Sequence, residues 1–149
     1  MQFLKIGFLF AIVLSFFSFT RGGDDNKVSI TVKVTDLQNS NGVVQFSLYN
    51  TDGSIPDEHF EKYYQQLKSK VINNSATITF NNLPKGTYAI NILHDENEDG
   101  VVDKGLMLPV EGLGFSNYDA LNLFNRPSFK KAQFELVSDT TMSIPIIYM

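Results

Sequence analysis

The alternation of apolar and polar residues constrains the fold of this chain more than any other feature. Val28, Ile30, Val32 and Val34 alternate with polar residues, which is the pattern of a strand with one buried face. The same period of two recurs in segments that contain Val44–Leu48, Ala76–Phe80, Tyr88–Ile92, Ala132–Leu136 and Met142–Tyr148. Turn-forming residues separate these segments. The sequence therefore predicts a mainly β chain, an antiparallel β-sandwich of about seven strands.

One segment departs from the strand pattern. Ser54 to Glu58 resembles the start of a helix, because a proline and acidic residues are favoured in a first turn. The apolar residues that follow have helical spacing: Phe60, Tyr63, Tyr64 and Leu67. We expect a short amphipathic helix from Asp57 to Leu67 that packs on the sheet, with a short strand at Lys70 to Ile72 after it.

The first 23 residues have the composition of a secretory signal peptide. A short segment with Lys5 precedes an apolar run from Ile6 to Phe19, and small or polar residues follow. A membrane anchor is the alternative, but the run is shorter than the ~20 residues that a bilayer span needs. We expect a periplasmic or extracellular protein with no stable membrane span after cleavage, in which residues 27–149 form a single β-sandwich domain.

Charge and cysteine content exclude several classes of function. Without residues 1–23, the chain has 10 basic and 16 acidic residues, a net charge of −6. Nucleic-acid binding needs clustered Lys and Arg, so we expect no nucleic-acid partner. The chain has no Cys, which excludes disulfides and thiolate metal sites.

The loop after the fourth predicted long strand has the oxygen spacing of a calcium-binding loop. In the twelve-residue calcium pattern, oxygens come from positions 1, 3, 5, 7 and 9, and a glycine at position 6 allows a sharp turn. Here that glycine is Gly100, and the ligands would be the side chains of Asp95, Asn97, Asp99 and Asp103 with the carbonyl of Val101. We predict a structural calcium (Ca²⁺) site; magnesium fits less well because it retains more water.

Two features weaken this interpretation. Position 12, where a bidentate Glu is expected, is Leu106, and a strand rather than a helix precedes the loop. Glu111, beyond Pro109, could return to supply the missing ligand. An acidic, solvated turn is the alternative, because Asp, Asn and Gly are ordinary turn residues.

Few other residues of the chain could form a metal site or act in catalysis. The two histidines, His59 and His94, are too few and too far apart in sequence for a zinc site. An exported hydrolase that uses His94 is possible on composition, but a histidine that ends a strand and orients a loop carboxylate is the favoured reading. We therefore predict that the chain is not an enzyme.

The segment from Asp95 to Ser128 has no clear periodicity. A loop of this length in a compact domain is usually functional or tied down. Gly112 and Gly114 would let the backbone pass close to the ion loop. Asn122, Asn125 and Arg126 could line a site for a glycan, a peptide or an envelope protein; a hydrophobic lid over one end of the sandwich is the alternative.

A series of motifs resembles a known family. The motifs are Phe80–Ile90, His94–Gly100, Glu111–Asn117 and Pro127–Phe129, and together they resemble the bacterial exported domain-of-unknown-function family 2141 over roughly Val28 to Ile147. The resemblance implies no activity, because the family has none established. The turn Leu83–Tyr88 also resembles transthyretin-like and carboxypeptidase-regulatory-like sandwiches, which implies a transthyretin- or immunoglobulin-like fold.

Overall fold

Eight strands and one short helix form the part of the chain that this computed structural model describes, residues 26–106, 109–122 and 124–149. The elements are β1 (Lys27–Val34), β2 (Val43–Tyr49), β3 (Gln65–Lys70), β4 (Ala76–Pro84), β5 (Gly86–Asp95), β6 (Gly112–Phe115), α1 (Phe129–Ala132), β7 (Phe134–Leu136) and β8 (Thr140–Ser143). The predicted signal peptide lies outside these residues. Within them, no helix is both long and apolar enough to cross a membrane.

The strands form two sheets. A three-stranded sheet has the order β4-β1-β8, and a five-stranded sheet has the order β3-β2-β5-β6, with β7 also paired to β5. β6 pairs with residues 91–94 of β5 and β7 with residues 86–88, so both use the same edge of this long strand. All pairs are antiparallel except β1 and β8, which are parallel.

The main core lies between the two sheets. Alternate residues of β1, β2, β4 and β5 meet there, as the period of two predicts. The members with no exposed surface include Ile30, Val32, Val44, Phe46, Leu48, Phe80, Leu83, Ile90, Ile92 and Leu136. The predicted mainly β sandwich is therefore confirmed.

A second cluster covers the opposite face of the five-stranded sheet, which we call the outer face. Tyr49, Ala89, Leu93, Leu113 and Phe115 project from the strands into this cluster. The segments that cover them contribute Ile55, Phe60, Tyr118, Phe129 and Ala132. Both faces of β5 are consequently buried along almost its whole length.

The helix predicted from Asp57 to Leu67 is wrong. The segment has turns and bends up to Tyr64, and β3 begins at Gln65. Asp57 accepts hydrogen bonds from the backbone N–H groups of Glu61 and Lys62, at 3.1 and 2.8 Å, which folds the chain back on itself. Only Phe60 of the apolar series is buried; the others are about 40% exposed. The strand predicted at Lys70 to Ile72 lies earlier, and the one helix of the described residues is α1.

The glycines of β6 serve a different neighbour from the one predicted. A Cβ on Gly112 would lie 2.4 Å from the side chain of Ile146, and a Cβ on Gly114 would lie 2.8 Å from the carbonyl oxygen of Pro145. They let the C-terminal segment, rather than the ion loop, pack against β6. Ile147 then exchanges backbone hydrogen bonds with Leu113 at 2.7 and 3.0 Å.

Candidate functional site

Asp95 anchors the predicted ion loop at the end of β5. It lies opposite Val43 of β2 on the outer face, and its side chain has no exposed surface. Its Oδ2 accepts a hydrogen bond from the N–H of Gly100 at 3.0 Å and lies 3.4 Å from the Lys68 ammonium. Its Oδ1 is buried and accepts no hydrogen bond from any described residue. A buried carboxylate oxygen in this state is costly unless a donor or a cation meets it.

The other loop side chains form a closed hydrogen-bond network. The Asn97 amide donates to Asp99 Oδ2 at 3.0 Å and to Asp103 Oδ2 at 2.9 Å. Asp99 Oδ1 accepts from the N–H of Val101 at 3.0 Å. Gly100 has a φ of 82°, which gives the sharp turn at the sixth position. These side chains are mostly exposed, whereas Asp95 is buried.

Glu111 returns to the loop, as its position in the sequence suggested. It is buried, and its two carboxylate oxygens accept hydrogen bonds from the N–H groups of Glu96 and Asp103, at 3.0 and 3.1 Å. Burial raises the pKa of Glu111, the two N–H donors oppose the shift, and the nearby charges of Asp103 and Asp95 add to it. Glu111 therefore links the two ends of the loop through the backbone.

The loop brings together every predicted ligand residue. Asp95, Asn97, Asp99, Val101, Asp103 and Glu111 are all in this network. In the described ranges, however, no group of three or more His, Cys, Asp or Glu side chains is gathered in a metal-binding arrangement. Two of the acidic side chains are turned toward the Asn97 amide, so cation binding would require exposed side chains to rotate.

His94 is enclosed between two hydrogen-bond partners. Its ring has no exposed surface; Nδ1 lies 2.7 Å from the Tyr148 hydroxyl and Nε2 lies 3.0 Å from the carbonyl of Asn41. Both ring nitrogens are engaged, so neither is directed at a site where a substrate could bind. Burial raises the pKa of Tyr148.

A pocket of about 390 Å³ opens on the outer face beside the ion loop. Its walls include the three residues that the sequence suggested for a binding site, Asn122, Asn125 and Arg126. They also include Asn91 of β5, which is 3% exposed and whose Oδ1 accepts no hydrogen bond from the described residues. The sequence did not single out Asn91, although a polar residue between Ala89 and Leu93 in a buried strand is unusual.

Comparison with solved structures gives one slight likeness. It is to a pilus-presented adhesin, Spy0125 (Cpa), at 13% sequence identity and a TM-score of 0.28. The match covers 81% of this chain and spans 27% of that chain. No curated protein matches.

The family comparison is more informative. Residues 32–144, most of the chain, match the family described as an uncharacterized protein conserved in bacteria (DUF2141). This range includes seven of the eight strands in full, β2 to β8, together with the ion loop and the pocket residues Asn122, Asn125 and Arg126. The chain belongs to this bacterial family, DUF2141.

Proposed function

We propose that this chain is an exported, non-catalytic β-sandwich whose loop of residues 95–103 binds a calcium ion. The ion would stabilise the long segment between β5 and α1. The observation that carries this proposal is Asp95: its carboxylate is fully buried, and Oδ1 accepts no hydrogen bond from the described residues. A cation would satisfy that oxygen and remove the cost of its burial.

The different contacts of the two carboxylate oxygens of Asp95 support the same proposal. Oδ2 holds the turn by accepting from Gly100, so Oδ1 is the oxygen left for a ligand. The other possible ligands in the loop are the oxygens of carboxylates, an amide and backbone carbonyls, which suit calcium. Magnesium demands a small, near-octahedral shell with several waters, which a loop with this many oxygens favours less.

Lys68 supplies the local positive charge at present. Its ammonium lies 3.4 Å from Asp95 Oδ2, but its side chain is 42% exposed and can move into solvent. The carboxylate end of this pair is buried, but solvent reaches the ammonium end and screens the attraction. A divalent ion at Oδ1 would therefore compete with a weak partner.

Two parts of the proposal rest on other observations. The absence of catalysis is supported by His94, whose ring nitrogens are both engaged within the protein. Export is supported by the composition of residues 1–23, and N-terminal sequencing of the secreted or periplasmic protein tests it. A screen of ester, phosphate and glycoside substrates that found turnover dependent on His94 would overturn the non-catalytic part.

The test of the calcium site is thermal unfolding with calcium, with magnesium and with chelator. At a calcium concentration 100-fold above Kd, we expect stabilisation of about 2.7 kcal/mol, a rise in Tm on the order of 10 °C. Asp99→Asn should lose most of this rise, because it removes a charge and keeps the hydrogen bond from Val101. The control is Asp119→Asn, which removes an exposed charge outside the loop. Equal calcium responses in wild type and Asp99→Asn would contradict the proposal.

A further inference from the structure

We propose that the outer-face pocket binds a carboxylate with an apolar body and an N–H donor, such as an acylated apolar amino acid or the apolar C-terminus of a peptide. This inference goes beyond the calcium loop and does not depend on it. It rests on which groups of the pocket are already used within the protein and which are left over.

The apolar part of the ligand follows from the pocket's walls. Val102, Leu113, Phe115 and Leu121 line the pocket and extend the hydrophobic cluster of the outer face. A volume of about 390 Å³ is within the range of small-ligand sites.

The need for an N–H donor follows from Asn91. Its side chain is 3% exposed at the pocket, and its Oδ1 accepts no hydrogen bond from residues 26–106, 109–122 or 124–149. Buried amide oxygens almost always have a donor. An N–H of the ligand would supply it.

The acidic groups of the pocket are already engaged. Asp57 accepts hydrogen bonds from Tyr49, at 3.1 Å, and from the N–H groups of Glu61 and Lys62. Glu58 pairs with Lys104. Asp57 is therefore engaged within the protein, and Lys104 balances the charge of the exposed Glu58.

The groups that remain at the rim are donors. Asn122 Oδ1 accepts from the N–H groups of Phe124 and Asn125, which leaves its NH₂ group. Asn125 uses its amide oxygen for Lys131 and its nitrogen for Ala120. Arg126 is exposed, and its guanidinium has no carboxylate partner in the described part of the chain. A surplus of donors with one guanidinium favours a carboxylate over a neutral sugar.

The experiment is NMR titration of the isotope-labelled domain with N-acetyl-L-phenylalanine and with its C-terminal amide. The two probes differ only in the carboxylate. We expect saturable shifts at the pocket residues, a Kd on the order of 1 mM for the acid, and weaker binding of the amide by about tenfold. A peptide that ends in Ala-Phe forms a third arm: tighter binding than the small acid assigns the site to peptide ends, and equal binding assigns it to small acids.

Variants make the assignment specific. Arg126→Gln should reduce binding of the acid to the level of the amide, and Lys130→Gln, which removes a charge on the exposed side of α1, should leave both unchanged. Leu121→Trp should fill the pocket and abolish binding of every probe. Asn91 is not substituted, because a buried change in β5 could unfold the domain.

Four results would overturn the proposal. They are the absence of saturable shifts at the solubility limit of the acid, shifts that map outside the pocket, an acid-over-amide preference that survives in Arg126→Gln, and stronger shifts from the neutral sugar methyl α-glucoside than from the acid. The last result would assign the pocket to a glycan instead.

Discussion

The two faces of the five-stranded sheet differ in what they bury. The buried side chains that β2 and β5 direct at the second sheet are hydrophobic, apart from His94 at the end of β5, whose ring nitrogens are both engaged. The outer face buries the polar side chains Gln45, Ser47, Asn91 and Asp95. The two buried side-chain oxygens that lack a partner among the described residues, on Asn91 and Asp95, are both there. The inner face holds the fold together, and the outer face carries the candidate sites.

The largest effect should come from the inner face. Phe46→Ala removes a fully buried ring from the core between the sheets, and we expect a loss of about 3–5 kcal/mol in the free energy of unfolding. Urea unfolding measures it. The loss should be the same with calcium and with chelator; a loss that depends on calcium would mean that the two faces are not separate in energy.

Glu111→Gln tests how the ion loop is held. The amide can accept only one of the two backbone hydrogen bonds that the carboxylate accepts, so we expect a loss of about 1–3 kcal/mol. Unfolding with and without calcium should give similar losses if Glu111 braces the backbone. A loss confined to the calcium condition would instead identify Glu111 as a ligand of the ion.

Tyr49→Phe tests the cover of the outer face. It removes the hydroxyl that donates to Asp57, at a cost of about 0.5–1.5 kcal/mol at neutral pH. Burial, followed by the charge of Asp57, raises the pKa of Tyr49 above the ordinary value of 10.0. Because the folded state holds this proton more tightly, wild type should lose stability as the pH rises above 10, and Tyr49→Phe should lose less. Parallel pH profiles would contradict this interpretation.

The smallest effect should come from Lys68→Gln, which should lower stability in chelator and raise the affinity for calcium. Loss of the ion pair with Asp95 should lower stability in chelator by less than about 1 kcal/mol, since Lys68 is 42% exposed. Removal of a competing cation should raise calcium affinity severalfold, which calcium titration calorimetry measures. The control is Lys70→Gln, an exposed lysine of the same strand. An unchanged or weaker calcium affinity in Lys68→Gln would contradict the placement of the ion at Asp95.

The same contrast decides what could be predicted from the sequence. Strands of the inner core have a period of two that follows from one buried face, so Val28 to Val34 and their partners were predicted correctly. The outer face is covered by irregular segments, whose path depends on particular hydrogen bonds. At Asp57 two backbone N–H donors redirect the chain, so the apolar residues from Phe60 to Leu67 have helical spacing but do not form a helix.

Contacts between segments that are distant in the chain could not be predicted from the sequence either. The parallel pairing of β1 with β8 and the packing of the C-terminal segment on Gly112 and Gly114 join residues far apart in the chain. The pattern of Asp95 to Asp103 predicted a turn at Gly100, which the structure has. The pattern could not reveal that Glu111 bonds to the backbone at both ends of the loop, or that Asn91 lies in a pocket.

The most direct test is a crystal structure of the domain grown with calcium, read through the anomalous signal of the ion. We predict a peak within about 2.3–2.6 Å of Asp95 Oδ1, with oxygens of Asn97, Asp99 and Asp103 turned toward it. If a crystal grown at a saturating calcium concentration shows no peak at this loop, the calcium proposal is contradicted. A hydrogen bond from another protein donor to Asp95 Oδ1 would also contradict it.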